Sequence, residues 1–421
     1  MNDHRRDRLR ERLGPIFETE GASIISLLKD LISFSSLPGE ETPALDFLSS
    51  EFKKLDVQVE KIPISGHIKD DPDYSRIEKE LDYSGRFNLL VRRKGKDPSG
   101  GRSIILQSHI DVVEAKGWKG AFRPKVDQGV VHGRGACDAK GQVVTLYLVL
   151  AALDMLGLML KGDLDVQIVI EEEVGGNGAL ALILDGYRAD GVIVLEGTNL
   201  QVHPANRGAL WFKIGIQGKP VHMGRKQEGV SAIEKAVKVI GALSDYEVRL
   251  LKESQGFRLF ERYQYPVQLN IGVIRGGEWP STVPEKVIMK GGVGFLPNRT
   301  MDEIKDDLKR VFEGIEDDWI RNHHTLSFET LHNDAYEIPA DHPLVTCLHQ
   351  ACLKAGIESE VFGWNVSCDA RLYAKRGGMP TVVFGPGDIA CAHSSQERIE
   401  VKEILNAAEA LVLFLIDWCG T

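Results

Sequence analysis

Cysteine is scarce in this chain. Its 421 residues hold six (Cys137, Cys347, Cys352, Cys368, Cys391, Cys419), scattered and without a CxxC pair. A chain this long needs no disulfide framework to bury a core, so the spacing points to a reducing compartment, the cytoplasm. Extended basic runs are missing too. Lys and Arg number 51 against 61 Asp and Glu, a formal net charge of -10. The one basic stretch, HRRDRLRERL near the N-terminus, interleaves acids with bases and reads as a solvated first helix turn. Nucleic acid is therefore not expected as a partner. No apolar run of membrane-spanning length stands out, so no membrane partner is expected. The charged N-terminus lacks the apolar segment and cleavage site of a secretory leader. There is no internal repeat and no low-complexity segment.

What is present is an ordinary globular composition, 43% hydrophobic and 27% charged, enough for two or three domains with cores of their own. Residues 15–55 read as two helices around a SLPGEE loop. FNLLVRR (87–93), SIILQSH (103–109), DLDVQIVI (163–170) and DGVIVLEG (190–197) read as strands. GQVVTLYLVLAALDML (141–156) is apolar nearly all round, as a buried helix is. Strands that are continuous V/I/L runs, alternating with helices, predict a mixed, mostly parallel sheet covered by helices on both faces. Around residue 207 the texture changes. RGALWFKIGIQG alternates apolar and polar residues, as a half-exposed antiparallel strand does. The order from there is β-α-β-β-α-β, the ferredoxin-like pattern, ending in HTLSFETL; its second helix has Thr300 as N-cap candidate. From about 335 the α/β texture returns, with strand TVVFGPG (381–387) and a C-terminal helix over 400–418. The economical division is a catalytic-type α/β domain in two parts, 1–206 and 332–421, with an α+β domain inserted over 207–331.

In α/β sheets, ligands bind at the carboxyl ends of the strands. Those ends are rich in donors. SIILQSH ends in His109, with Asp111 two residues on. Asp138 stands in GRGACDAKG just before the buried helix. DLDVQIVI runs into Glu171, Glu172 and Glu173. DGVIVLEG ends in Glu196, and TVVFGPG leads to His393. Each alone has a bland reading: a structural His-Asp pair, a solvated run of acids, a glycine-rich turn, a loop histidine. Together, two histidines and three carboxylates suit zinc or a similar ion, and fit a two-metal site with one bridging carboxylate.

HID (109–111), GRGACDAKG (133–141), EEEVGG (171–176), LEG (195–197) and GPGDIACAH (385–393) resemble, in this order, the signature segments of the co-catalytic zinc amidohydrolases. That family includes acetylornithine deacetylase, succinyl-diaminopimelate desuccinylase, aminoacylase-1, carboxypeptidase G and several dipeptidases. The resemblance spans essentially the whole chain. It implies two divalent metal ions, zinc first, with cobalt or manganese as substitutes. His109 and Glu196 would hold one, Glu173 and His393 the other, and Asp138 would bridge. Asp111 would orient the His109 imidazole. Glu172 would be the general base for a water shared by the ions, whose hydroxide attacks an amide carbonyl. Residue chemistry alone allows Glu172 and Glu173 to exchange roles; the family pattern chooses. Glu171 matches no family role and reads as solvated.

The same resemblance covers GKPVHMGRKQEGVSAIEKA. It implies that His222 reaches a neighbouring subunit's site as oxyanion donor, and hence a homodimer with a closing lid. Asn270 falls where relatives place a substrate-contacting Asn; a strand polar residue is the bland alternative. The acidic-Arg pair of many relatives is absent: the strand reads KGGVGFLPNRT, with Arg299 beyond Pro297. Arg371 in SCDARLY and Arg275 remain candidates for a substrate carboxylate, or for structural ion pairs. Glu rather than Asp at 196, GGEWPSTVP and the GPGD…AH segment incline the resemblance toward deacylases. The implied substrate is a small N-acylated amino acid or amine; the alternative is a dipeptide, cleaved by a metallo-dipeptidase or carboxypeptidase. A non-catalytic binder would show a broken ligand set, and here every ligand position is filled.

Overall fold

The computed structural model describes residues 3–76, 80–97, 100–328 and 331–421. Its larger sheet has six strands in the order Gln58–Pro63, Phe87–Arg93, Leu164–Val169, Ile104–His109, Val192–Val194, Thr381–Val383. The last four are mutually parallel. Only Phe87–Arg93 runs against the rest, antiparallel to both neighbours. Every residue of Ile104–His109 is buried, because helices cover both faces. That is why the strands read as unbroken apolar runs.

Helix Gly141–Met155 is buried along most of its length and packs against helices Asp3–Ser33 and Val401–Cys419. With the turn before it, Ala136–Met155 is long and apolar enough to cross a membrane, contrary to the sequence reading. Yet 94% of that window is buried inside the protein, so it is a core helix. The basic stretch near the N-terminus falls in helix Asp3–Ser33; its side chains through residue 11 lie outside the described residues.

The smaller sheet is antiparallel, in the order Leu269–Gly276, Lys286–Phe295, Gly208–Gln217, His324–Ser327. Along the chain, helix Ala232–Ser254 follows strand Gly208–Gln217, and helix Met301–Glu313 follows strand Lys286–Phe295. Strand alternation decides the faces: Leu210, Phe212, Ile214 and Ile216 are buried, whereas Trp211 is exposed. Residues 329–330 of the HTLSFETL segment lie outside the described residues. Thr300 caps Met301–Glu313 in a reciprocal box with Glu303, whose carboxylate accepts from the Thr300 N–H at 2.8 Å. The buried apolar residues form two clusters, one drawn from 13–202 and 336–419, the other from 205–335.

One small sheet had no expectation in the sequence. Arg398–Glu400 pairs with Val130–His132, which pairs with Lys125–Asp127. It packs against the turn Ala136–Lys140, which carries Asp138.

Candidate metal centre

Four adjacent parallel strands deliver their carboxyl ends to one edge of the larger sheet. His109 is the last residue of its strand, Glu171–Glu173 follow Leu164–Val169, Glu196 follows Val192–Val194, and His393 lies in the loop after Thr381–Val383. Asp138 enters from the turn ahead of helix Gly141–Met155. His109 Nε2 is 3.1 Å from Asp138 Oδ1. His393 Nε2 is 3.1 Å from Asp138 Oδ2 and 3.1 Å from Glu173 Oε2. Glu196 Oε1 and Glu172 Oε2 lie 3.8 and 4.0 Å from His109 Nε2. The donors fall into two groups, His109–Glu172–Glu196 and Asp138–Glu173–His393, each with its ligand atoms within 4.8 Å of one another. Asp138 turns one oxygen to each histidine. Two imidazoles and a set of carboxylates at this spacing suit a pair of divalent ions. By distance, Glu172 qualifies as a donor as well as a base.

Electrostatics fit the same reading. Burial, and then the neighbouring Glu196 and Asp369 charges, drive the Glu172 carboxyl well above its usual range. Burial does the same to Glu196, with Asp138 and Asp369 adding. His393 is pushed up to about 10 by its bonds to Asp138 and Glu173. Burial alone would lower His109, but its contacts with Asp111 and Asp138 raise it. These shifts describe buried carboxylates crowded together, an arrangement that binds positive charge.

Asp111 has a wider task than the sequence implied. His109 Nδ1 meets the Asp111 backbone carbonyl at 3.0 Å, with the carboxylate further off at 3.6 Å. That carboxylate instead accepts from the backbone N–H of Glu172 (3.2 Å) and of Glu173 (3.0 Å). One residue thus aims both an imidazole and the acidic turn.

The reading of Glu171 as solvated is overturned. It is 1% exposed and has φ 62. Its carboxylate accepts from Tyr83 Oη (2.8 Å) and Asn177 Nδ2 (2.7 Å) and pairs with Arg86, which also grips Glu41. The glycines behind it are required. A Cβ on Gly175 (φ +118) would lie 2.1 Å from Ser75 Oγ, and one on Gly176 (φ +86) 2.3 Å from Asp369 Oδ1.

A pocket of about 180 Å³ opens on the donors, lined by Asp138, Glu172, Glu173, Glu196 and His393 on one side. Trp364, Val366, Cys368, Ile389 and Ala392 are among the residues completing it. Arg371 is buried outside this lining; it donates to the Gly175 carbonyl at 3.0 Å and faces Asp73 at 3.7 Å. Arg299 is bound to Glu253 and Asp307. His222, Asn270 and Arg275 are exposed on the smaller-sheet part of the molecule and do not line the pocket. His222 Nδ1 accepts from the Gly224 N–H at 3.2 Å, and Arg275 lines a separate groove with Trp279 and Lys286.

Beside the donors, sequence reasoning missed the buried acids Asp369 and Glu397. Asp369, bonded to Gln107 Nε2 at 2.9 Å, is pushed up to about 7 by burial. It stands beside Arg371 in SCDARLY, so the quoted segment contained it. Glu397 is fully buried, accepts from the Cys137 N–H at 3.3 Å and pairs with Arg134. It follows no apolar strand, so nothing in the pattern singled it out.

Comparison with known proteins agrees with this geometry. Residues 105–417 match the model of peptidase family M20/M25/M40. N-formyl-4-amino-5-aminomethyl-2-methylpyrimidine deformylase of Bacillus subtilis is 28% identical over 372 residues, 82% of this chain and 86% of that one. Acetylornithine deacetylase of Myxococcus xanthus is 29% identical over 351 residues, 82% and 87% of the two chains. A dipeptidase structure from Saccharomyces cerevisiae superposes with TM-score 0.76 at 15% identity, over 98% of this chain and 99% of that one, which shows the shared fold. With its mostly parallel sheet, its donors at the strand ends and a family match over most of its length, the chain belongs to peptidase family M20/M25/M40 and is a metal-dependent hydrolase.

Proposed function

We propose that the enzyme hydrolyses the amide bond of a small N-acylated amino acid or amine. His109, Asp138, Glu173, Glu196 and His393 hold two divalent ions, zinc foremost. The observation that carries this reading is Asp138, buried between two histidines with one oxygen toward each. When bound, the ions supply Lewis acidity toward the carbonyl and acidify a water. Glu172 takes the proton of the attacking water and hands it to the leaving amine. Asp111 holds Glu172 to that task through its backbone N–H. The inserted domain, 207–331, closes over the substrate and forms the homodimer contact, with His222 of the second subunit donating to the developing oxyanion. Asn270 and Arg275 meet the substrate from that domain, while Arg371 braces the acidic turn through Gly175.

Two similar curated proteins remove formyl and acetyl groups from amines, and the small pocket favours a small acyl group. The dipeptidase fold likeness favours the second reading, a metallo-dipeptidase or carboxypeptidase. A panel of N-formyl, N-acetyl and N-succinyl amines against dipeptides, with zinc, cobalt or manganese added to metal-free protein, separates them. N-acyl substrates are expected to turn over faster. Faster dipeptide cleavage would reverse the choice, and no hydrolysis with any metal would sink both.

A further inference from the structure

The fold brings together two of the cysteines that the sequence scatters. Cys137 Sγ lies 3.4 Å from Cys391 Sγ, across 254 residues of chain. Both thiols are free. Cys137 is fully buried, and Cys391 is half-buried on the short turn Ile389–Cys391. They share one acceptor, the Asp388 carbonyl, at 3.6 Å from Cys137 Sγ and 3.0 Å from Cys391 Sγ. Neither has a part in the proposed reaction. Their neighbours do: Cys137 precedes Asp138, and Cys391 stands two residues before His393.

We propose that Cys137 and Cys391 form a reversible disulfide that ties the Asp138 turn to the His393 loop and switches the site off. The oxidant is hydrogen peroxide. Cys391 is the sulfur that solvent reaches, so it attacks first. Its S–O bond forms as the O–O bond breaks, and its proton leaves with the departing oxygen as water. The buried Cys137 sulfur then attacks the sulfenic sulfur. The S–S bond forms, the S–O bond breaks, and the hydroxyl leaves as water with the Cys137 proton. Two thiols and one hydrogen peroxide give one disulfide and two waters, the two electrons passing from sulfur to peroxide. A dithiol reverses the reaction.

Closing the gap to a bond of about 2.05 Å needs roughly 1.4 Å of movement. The loop carrying Cys391 already lies on Cys137: a Cβ on Gly387 would sit 3.0 Å from Cys137 Cβ. The loop thus has little room to absorb the pull elsewhere, and His393 moves with it. His393 Nε2 now sits 3.1 Å from both Asp138 and Glu173. Ligand distances in metal sites match their standard values to within about 0.2 Å, so a pull of an ångström on the His393 loop would spoil the fit to an ion.

The test is to treat metal-loaded protein with equimolar hydrogen peroxide, alkylate the remaining thiols and map peptides by mass spectrometry. A Cys137–Cys391 cross-linked peptide, two hydrogens lighter than the pair, is expected, and dithiothreitol should erase it. Hydrolysis should fall by about tenfold or more with cross-linking and return on reduction. Cys391→Ser and Cys137→Ser should keep their activity in peroxide. The peptide readout does not depend on the proposed substrate, so a failed substrate assignment would leave the cross-link intact. Two thiols that both stay alkylatable, or Cys391 driven to sulfinic acid without a cross-link, would overturn the proposal. A cross-link with unchanged activity in an enzyme shown to hydrolyse its substrate would overturn the switch.

Discussion

At the scale of single residues, three neighbouring glutamates have three different environments. Glu171 turns away at φ 62 into a buried ion pair, Glu172 faces the pocket, and Glu173 meets His393. The proposed roles make separable predictions. Glu172→Gln should keep two metal equivalents and lose turnover by a factor of roughly 10² to 10⁴, the contribution of a positioned base. Metal content by atomic emission, beside kcat, decides it: loss of one equivalent would make Glu172 a ligand, as its 4.0 Å distance from His109 also permits. Arg86→Ala should destabilise the fold by about 3–5 kcal/mol in denaturant titration, because it strands two buried carboxylates, Glu41 and Glu171. A loss under about 1 kcal/mol would mean that water reaches the pair. The sequence showed the acidic cluster and its place after a strand. It did not show that Glu171 is buried, because its partners Tyr83 and Arg86 lie 88 and 85 residues away.

At the scale of elements, the parallel strands were legible because burial on both faces writes them as apolar runs. Their order in the sheet was not, since Leu164–Val169 pairs with Ile104–His109 across a whole crossover. The donors were legible for the same reason: each follows such a strand or, for Asp138, opens an apolar helix. The connection between the two sheets carried no such signal. There His203 is buried, its backbone paired to Val383 and its Nδ1 2.8 Å from the Phe362 carbonyl. Burial, with Arg262 nearby, holds this imidazole down at about 4. An unfolded histidine titrates near 6.5, so the unfolded chain binds the proton first as pH falls. Stability from this site is therefore complete above about 6.5 and is lost as pH drops toward 4, on the order of 3 kcal/mol. Urea titrations of wild type and His203→Gln at pH 7 and pH 4.5 isolate the effect. The wild type should lose more stability than the variant over that interval; equal losses would refute a neutral buried His203.

At the scale of the whole molecule, the donors and the proposed oxyanion group belong to different cores. His222 is exposed and absent from the pocket lining. Helix Ala232–Ser254 leaves Ile233, Val237 and Val248 exposed, and the edge strand Leu269–Gly276 leaves Ile274 exposed. These are the surfaces that the proposed homodimer would cover. Action in trans can be tested by mixing inactive subunits. His222→Ala alone and Glu172→Gln alone should each be nearly inactive. In a dimer with one of each, the His222→Ala subunit keeps its Glu172 and receives the partner's intact imidazole. One site in two then works in half of the dimers, so co-refolding equal amounts should restore about one quarter of wild-type activity. If His222 acts within its own subunit, every hybrid site lacks either the base or the imidazole, and mixing restores nothing. A mixture that stays inactive while light scattering reports dimers would remove His222 from the neighbouring site.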